Sequence, residues 1–454
     1  MTRSPTAPSS LFSRRQAMKL ALLGGLAPAI GPARAQEPID VIIIGAGIAG
    51  LAAARTLADE GMRVVVLEAA NRIGGRIHTD RSLGLPVEVG AGWIHGPQGN
   101  PISDLARQAG QDTFVTDDES FELFTSDGSY IGDDALEDGI EQLEAAAAII
   151  DEELDEDRSL EAALRSYAPG VVDDPLTRWM LSAYTEFSTG GPLADLSALY
   201  YDEDDVFPGA DVILPDGYDA ILPPLAAGLD VRLRHMVNAI THSETGVIIS
   251  TTQGDFTARA AICTLPLGVL KAGGVTFDPP LPSAHRQAID RIGVGNVTKF
   301  ALRFDRSFWQ EDTQYFGVMT DPPGRWNYVL NTLTHSPVPM LMAVSLGDYA
   351  AQVEAMDDQA ALADVMQVLR GVMGSGIPEP SGHLMSRWSR DPLAHGAYSF
   401  ASVGSAPDDF ARLAQPVGET LFFAGEHTDF AYHGTVHGAY LSGIKAAEHL
   451  YDVM

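Results

Sequence analysis

The sequence predicts an α/β fold with a Rossmann-like domain, and three features near the N-terminus of the 454-residue chain support it. Residues 41–44 are an apolar, β-branched run, which is typical of a buried parallel strand. A Gly-x-Gly-x-x-Gly motif follows directly and opens a helical pattern over residues 51–60. A second predicted strand, residues 63–67, ends in Glu68. This order of strand, turn, helix, strand and acid predicts a dinucleotide site.

The turn of this motif has a task for each glycine. Gly45 permits the tight turn, Gly47 lets the backbone approach a pyrophosphate, and Gly50 packs the helix against the strand. The helix N-terminus offers N–H groups and a positive dipole to phosphate, and Glu68 would accept hydrogen bonds from ribose hydroxyls. The alternative is a glycine-rich turn without function, which the flanking elements and the spaced acid disfavour. The predicted cofactor contacts here are Gly45, Ala46, Gly47, Ile48, Ala49, Gly50 and Glu68.

A second glycine pair after Glu68 indicates which dinucleotide binds. Gly74 and Gly75 again bring the backbone close to a ligand, and Arg72 and Arg76 bring positive charge to it, which an NAD site does not need. This stretch resembles the continuation motif of the FAD-dependent amine oxidase superfamily. Further stretches resemble that family, in the family's order, at residues 90–96, Lys299, Trp388, residues 396–399, 421–428 and 434–438. The resemblance covers nearly the whole chain and implies FAD as the cofactor.

The resemblance also implies two domains, in an arrangement similar to that of p-hydroxybenzoate hydroxylase. Because FAD motifs lie at both ends of the chain, we predict a discontinuous Rossmann-like FAD-binding domain over residues 36–100, 206–295 and 388–454. An α+β substrate-binding domain is predicted over residues 101–205 and 296–387, of which the first segment has a mostly helical pattern. Helices are predicted at residues 140–154, 159–167, 176–187, 360–373 and 436–450, and strands at residues 230–234, 246–251, 260–265, 299–304 and 340–345.

Residues 1–35 are predicted to be an export signal. Arg14 and Arg15 precede an apolar stretch, residues 17–30, and Ala33-Arg-Ala35 offers a cleavage site. This resembles a bacterial twin-arginine signal, which carries folded proteins out of the cytoplasm, so we expect a periplasmic or secreted protein. The alternatives are an amphipathic tail or a membrane anchor. The stretch is too short and too glycine-rich to span a bilayer comfortably, so no stable anchor is expected.

The chain is strongly acidic, with a formal net charge of −32. This sign disfavours binding to nucleic acid. Acidic residues concentrate at residues 117–119, 151–157 and 202–205. One interpretation is a solvated acidic surface of a salt-adapted protein, and the other is steering of a polycationic substrate. The two interpretations are compatible.

The resemblance implies oxidation of an amine, in which a hydride passes from the carbon beside the nitrogen to the flavin. The resulting imine is hydrolysed to an aldehyde, and O2 reoxidises the flavin and yields H2O2. In the family, the residue matching Lys299 holds a water against the flavin N5, and those matching Tyr398 and Thr435 face the flavin across the substrate cavity. The alternatives are a surface lysine at a strand start and ordinary core packing of Tyr398.

His95 lies in a stretch similar to one of animal spermine and acetylpolyamine oxidases, where the histidine affects substrate protonation or binding. A solvent-facing loop histidine is the alternative. The resemblance places Glu426 on FAD hydroxyls and the helix after Thr435 at the flavin pyrimidine ring. The remaining cofactor contacts that it implies are Arg72, Gly74, Gly75, Arg76, Gly92, Trp93, Val237, Trp388, Gly425, Glu426, Thr435 and Val436. No metal site is predicted.

Two absences narrow the predicted chemistry. Ala397 stands where monoamine oxidases carry the cysteine that bonds to FAD, and the single cysteine, Cys263, lies in another motif, so non-covalent FAD is expected. In the pattern of L-amino acid oxidases an arginine at this place binds the substrate carboxylate, and residues 90–94 contain no arginine. The leading hypothesis, which the resemblance to spermine and acetylpolyamine oxidases implies, is oxidation of a C–N bond of spermine, spermidine or an acetylated form. Alternatives are an oxidase or dehydrogenase of simpler mono- or diamines, and a flavin-binding protein with vestigial catalysis.

Overall fold

An eight-stranded sheet carries the predicted dinucleotide motif in this computed structural model, which describes residues 38–454. The export-signal prediction for residues 1–35 lies outside the described residues. The parallel strands Ile39–Ile44 and Val64–Leu67 are adjacent and mostly buried, as their apolar runs predict. The order of the sheet is Asp230–Arg232, Val64–Leu67, Ile39–Ile44, Gly254–Cys263, Gly246–Thr251, Val237–Ser243 and Thr276–Asp278, with Leu421–Phe423 pairing in parallel with the end of Gly254–Cys263.

The helix of the motif, Ile48–Asp59, buries its apolar face against the sheet and against the C-terminal helix Val436–Val453. The two helices cross so closely that a Cβ on Gly443 would lie 2.2 Å from the Ala49 carbonyl oxygen. Glycine at this crossing therefore lets the end of the chain return to its beginning, which closes the site around the motif.

A seven-stranded sheet forms the second layer of the fold. Its order is Gly382–Met385, Val297–Arg303, Met340–Leu346, Tyr328–Asn331, Tyr315–Met319, Phe121–Thr125 and Tyr130–Ile131. The predicted strands near residues 299 and 340 are observed and pair antiparallel. The last two strands lie in the segment predicted to be mostly helical. Phe121–Thr125 pairs in parallel with Tyr315–Met319, so a distant partner and not the local pattern determines its conformation.

Helices cover the two sheets. Pro175–Met180 begins at Asp174, whose side chain accepts from the backbone N–H groups of Leu176 and Thr177, and continues into a π-helical segment, Leu181–Glu186. The other α-helices are Pro101–Gln108, Asp133–Glu153, Leu160–Tyr167, Pro169–Asp173, Phe187–Thr189, Leu222–Ala226, Leu267–Lys271, Ser283–Arg291, Gly347–Ala355, Asp358–Met373 and Pro407–Leu413, with 3-10 turns at Tyr218–Ile221, Thr332–Thr334 and Glu426–Thr428. Short pairings join Gly293–Val294 to Ser399–Phe400, Thr79–Asp80 to Val87–Glu88, and Val212–Ile213 to both Trp93–Ile94 and Phe114–Val115.

Residues 39–454 pack as one compact unit. The strands of the first sheet come from both ends and the middle of the chain, whereas those of the second come from residues 121–131, 297–346 and 382–385. The predicted domain boundaries stay a prediction. Across residues 38–454 there is neither a helix long and apolar enough to cross a membrane nor a cluster of side chains suited to a metal ion.

Candidate active site

A cavity of about 1410 Å³ is lined by residues from both sheets and from the C-terminal helix. Most of the predicted site residues line it, and only Ala46 and Gly50 do not. The lining residues among them are Gly45, Gly47, Ile48, Ala49, Glu68, Arg72, Gly74, Gly75, Arg76, Gly92, Trp93, His95, Val237, Lys299, Trp388, Tyr398, Gly425, Glu426, Thr435 and Val436. The structure therefore brings together residues as far apart in the sequence as Gly45 and Val436.

The glycine turn has the shape that a pyrophosphate requires. Gly45 has a φ of +106°, which favours glycine, and a Cβ on Gly50 would lie 2.0 Å from the Gly45 carbonyl oxygen. A Cβ on Gly47 would meet no heavy atom within 4 Å, so its backbone is open to a ligand. The following helix has no side-chain N-cap, which leaves its first N–H groups for an anion. The turn therefore fits the phosphates of FAD.

Glu68 is buried at the end of its strand, with 8% of its surface exposed. Its two carboxylate oxygens accept hydrogen bonds of 2.7 Å from the backbone N–H groups of Ala46 and Ala70. The carboxylate is thus held in place, and each oxygen keeps a lone pair for a ligand hydroxyl. Ala46 does not line the cavity, but its N–H orients the acid that does.

The two arginines of the second glycine motif bind protein atoms. Arg72 donates to the carbonyls of Ile73 and Ile77 at 3.2 Å and of Gly75 at 2.8 Å, which fixes the conformation of the glycine pair. Burial lowers the pKa of Arg72. Arg76 donates to the Ala397 carbonyl at 2.8 Å and to Glu426 at 2.9 Å. Both charges therefore organise the cavity wall, a use that the sequence does not reveal.

Glu426 joins the N-terminal motif to the C-terminal part of the site. Besides Arg76, its carboxylate accepts from the Ser399 hydroxyl and from the Gly434 N–H, the latter at 2.9 Å. Burial alone would raise the pKa of Glu426, but Arg76, with the nearby His427 and these donors, lowers it to about 2. The carboxylate is therefore ionised throughout the physiological range.

Lys299 is buried on strand Val297–Arg303 with 7% of its surface exposed, so it is not a surface lysine. Its Nζ donates to the Gly90 carbonyl at 2.7 Å and lies 4.8 Å from the centre of the Trp93 ring. Burial lowers the pKa of Lys299 to about 8, and the charge of Glu88 acts in the opposite direction. A buried amine with a pKa in this range is typical of functional sites.

Aromatic and capping residues shape the wall near Lys299. Trp388 is buried and its indole N–H donates to the Val89 carbonyl at 2.8 Å. Tyr398 lines the cavity and its hydroxyl donates to the Phe187 carbonyl. The Thr435 hydroxyl accepts from the Gly438 N–H at 2.9 Å, so it caps the C-terminal helix and also lines the cavity. Their predicted contacts with the flavin stay predictions.

His95 lies at the exposed mouth of the cavity, with 59% of its side chain exposed. Its Nδ1 lies 2.6 Å from the Asp211 carboxylate, which also accepts from the Gly96 N–H at 3.0 Å. Burial alone would raise the pKa of Asp211, but His95 and Gly96 together lower it. No motif of the sequence points to Asp211 or Glu88. Asp118, which also lines the cavity, belongs to the acidic run 117–119, for which the sequence left open both a solvated acidic surface and steering of a polycationic substrate.

Known proteins resemble this chain over nearly its full length. Polyamine oxidase 2 of Arabidopsis thaliana is 36% identical over 429 residues, covering 90% of this chain and 87% of that protein. Lysine-specific histone demethylase 1 homolog 1 of the same plant is 34% identical over 462 residues, covering 94% of this chain but 54% of that protein. A solved putrescine oxidase double mutant shares the fold with a TM-score of 0.74 at 23% identity, covering 91% of this chain and 99% of its own.

The family follows from a model that describes flavin-containing amine oxidoreductases and matches residues 48–451. That range contains the second half of the glycine turn, from Ile48 to Gly50, and also Lys299 and the Arg76–Glu426 pair. It includes most of the residues that line the cavity. FAD is accordingly the cofactor of this chain. The chain belongs to the flavin-containing amine oxidoreductase family and is an amine oxidase with FAD as its cofactor.

Proposed function

We propose that this enzyme oxidises a polyamine, such as spermine, spermidine or an acetylated form, and that O2 is its electron acceptor. FAD, when bound, accepts the hydride from the carbon beside the reacting nitrogen. The single observation that carries the substrate class is an aromatic wall with a carboxylate beside it that has no partner among the described residues. The relatives named polyamine oxidases add support, since they cover most of the chain.

The aromatic wall begins beside Lys299. The Trp93 and Phe187 rings meet edge to face with centroids 6.1 Å apart. Phe187 lies 5.5 Å from Tyr328, which lies 5.3 Å from Tyr315. All four rings line the cavity. Such a wall suits a chain of methylene groups interrupted by ammonium groups, because aromatic faces attract both.

The carboxylate is that of Asp118, at the exposed mouth of the cavity. Its negative charge raises the pKa of Tyr315 and Tyr184, after the larger effect of burial on both, so it lies near these two rings. Within residues 38–454 Asp118 forms neither a hydrogen bond through its side chain nor an ion pair, whereas the neighbouring Asp211 is paired with His95. Asp118 is therefore available to a second ammonium of the substrate.

A carboxylated substrate fits this cavity poorly. The arginines that line it are Arg72 and Arg76, and both are engaged with carbonyl oxygens or with Glu426. Neither presents a fork to a substrate carboxylate. The acidic mouth would also repel such a group, which supports an amine without a carboxylate.

We expect Asp118→Asn to lower kcat/KM for spermidine by about five- to ten-fold, while kcat/KM for butylamine changes by less than about two-fold. The reason is that only spermidine carries a second ammonium that reaches the mouth. Steady-state kinetics at fixed ionic strength measure both values. Asp117→Asn removes an equal charge from the adjacent exposed residue and serves as the control. Equal losses on the two amines in Asp118→Asn would contradict the polyamine proposal and favour an oxidase of simpler amines.

We also propose that FAD is held without a covalent bond. Ala397 lines the cavity where a linking cysteine would stand, and Cys263 is buried in strand Gly254–Cys263 outside the lining. Burial raises the pKa of the Cys263 thiol to about 12, so it stays an unreactive thiol. Acid precipitation of the holoenzyme should leave the FAD in the supernatant. Yellow colour that remains with the precipitated chain would contradict this.

For the location of the enzyme we propose export to the periplasm or the medium by the twin-arginine route. Arg14, Arg15 and the apolar stretch after them support it. A route that carries folded proteins suits a chain whose cofactor site is assembled from both of its ends, because FAD can bind before export.

A further inference from the structure

The ammonium of Lys299 is surrounded by groups that favour a positive charge, and all of them come from residues 88–93. The Gly90 carbonyl accepts from Nζ at 2.7 Å, and the Trp93 ring lies below it at 4.8 Å. The third group is Glu88, which faces Nζ across Gly92. A Cβ on Gly92 would lie 3.2 Å from the Glu88 Cβ and 3.4 Å from Nζ. Glycine at this position therefore lets the acid and the amine approach each other.

Glu88 is held firmly in its strand, Val87–Glu88. Its carboxylate accepts from the Thr79 hydroxyl at 2.9 and 3.0 Å and from the Tyr218 N–H at 2.8 Å. Burial raises the pKa of Glu88, while Tyr218, Thr79 and Lys299 oppose that rise by stabilising the charged form. The charge of Asp219 also raises the pKa of Glu88, and Asp219 itself forms an ion pair of 2.8 Å with Arg81.

We propose that Glu88 is a positioning residue that keeps Lys299 protonated beside the flavin. Among the titratable groups of residues 38–454, Glu88 is the one whose charge acts on Lys299. It makes no direct ion pair with the amine, so Nζ keeps its hydrogen-bonding directions for the Gly90 carbonyl and for the cavity. This inference does not depend on which amine is oxidised.

The consequence is a dependence on pH. With Glu88 charged, Lys299 has a pKa of about 8 and is mostly protonated at neutral pH. Without that charge, burial acts unopposed and the pKa falls, so the proton is lost at a lower pH. A cation beside the flavin favours its reduced, negatively charged form, so the reduction potential should drop as Lys299 loses its proton.

The test is the midpoint potential of bound FAD as a function of pH in substrate-free holoenzyme. For the wild type we expect the slope of midpoint potential against pH to change near pH 8, and we call this change the break. The Lys299→Met substitution should abolish the break. Glu88→Gln should move the break down by about one pH unit or more, a ten-fold change in the acid dissociation constant. Asp219→Asn removes an acid whose charge acts on Glu88 but not on Lys299, and it should leave the break in place.

Glu88→Asp provides a second measurement that keeps the acid, and it decides the question if Glu88→Gln loses FAD. Its shorter side chain should move the break in the same direction by a smaller amount. A role confined to packing would change the FAD content or the thermal stability without moving the break. A break at the wild-type pH in every Glu88 variant that retains FAD would overturn the inference.

Discussion

Replacement of Lys299 by methionine is expected to slow the reduction of bound flavin by amine, its reoxidation by O2, or both, by about ten-fold or more, which is ~1.4 kcal/mol in the barrier. Methionine keeps the length of the side chain but removes the charge and the donors that the Gly90 carbonyl and the Trp93 ring now surround. FAD should still bind, because the glycine turn, Glu68 and Glu426 lie elsewhere in the cavity.

Stopped-flow absorbance of the two half-reactions measures this effect, with the FAD content of the purified variant as the control for binding. Lys271→Met is a matched substitution, since the Lys271 Nζ donates to the Asp290 carbonyl and does not line the cavity. That variant should have wild-type rates. Wild-type rates in both half-reactions of Lys299→Met would mean that Lys299 has only a structural role.

Replacement of Glu426 by glutamine is expected to lower the free energy of unfolding at pH 7 by about 3 kcal/mol and to weaken FAD retention. This is the lower end of the range for breaking a buried ion pair, because Arg76 is 26% exposed whereas Glu426 is 4% exposed. Glutamine can still accept from the Gly434 N–H, but it leaves the Arg76 guanidinium without a counter-charge. Urea unfolding of the holoenzyme measures the loss, and Glu419→Gln, at an exposed site, should cost almost nothing.

The difference in stability between the wild type and Glu426→Gln should depend on pH, and the lowered pKa of Glu426 gives the direction of that dependence. Its pKa is about 2 in the folded protein, against an ordinary value of 4.5. The charge therefore stabilises the fold fully above about pH 4.5 and loses that effect as the pH falls toward 2. The difference between wild type and Glu426→Gln should stay constant from pH 7 to about pH 5 and shrink below that. A difference that grows on acidification would contradict the assigned pairing.

Much of the fold follows from local patterns. The strand, turn and helix around Gly45–Gly50 are contiguous, and the apolar runs near residues 299 and 340 form strands of the second sheet as predicted. The strand Phe121–Thr125 does not follow from its own residues, because its partner Tyr315–Met319 lies far along the chain. Likewise, the helical spacing of apolar residues over 176–187 predicts a helix, but it does not predict that Leu181–Glu186 is a π-helix.

The sequence by itself predicted the cofactor turn, because strand, turn and helix are contiguous in the chain. The resemblance to the amine oxidase family predicted Lys299 and Glu426 as site residues, and both line the cavity. Only the tertiary structure decided what those residues contact. Lys299 and the Gly90 carbonyl are 209 positions apart, and Arg76 and Glu426 are 350 positions apart. No spacing in the sequence encodes such pairs, since they meet only when the two sheets and the C-terminal helix close around the cavity. The same closure brings Glu88 to Lys299 and Asp118 to the aromatic wall.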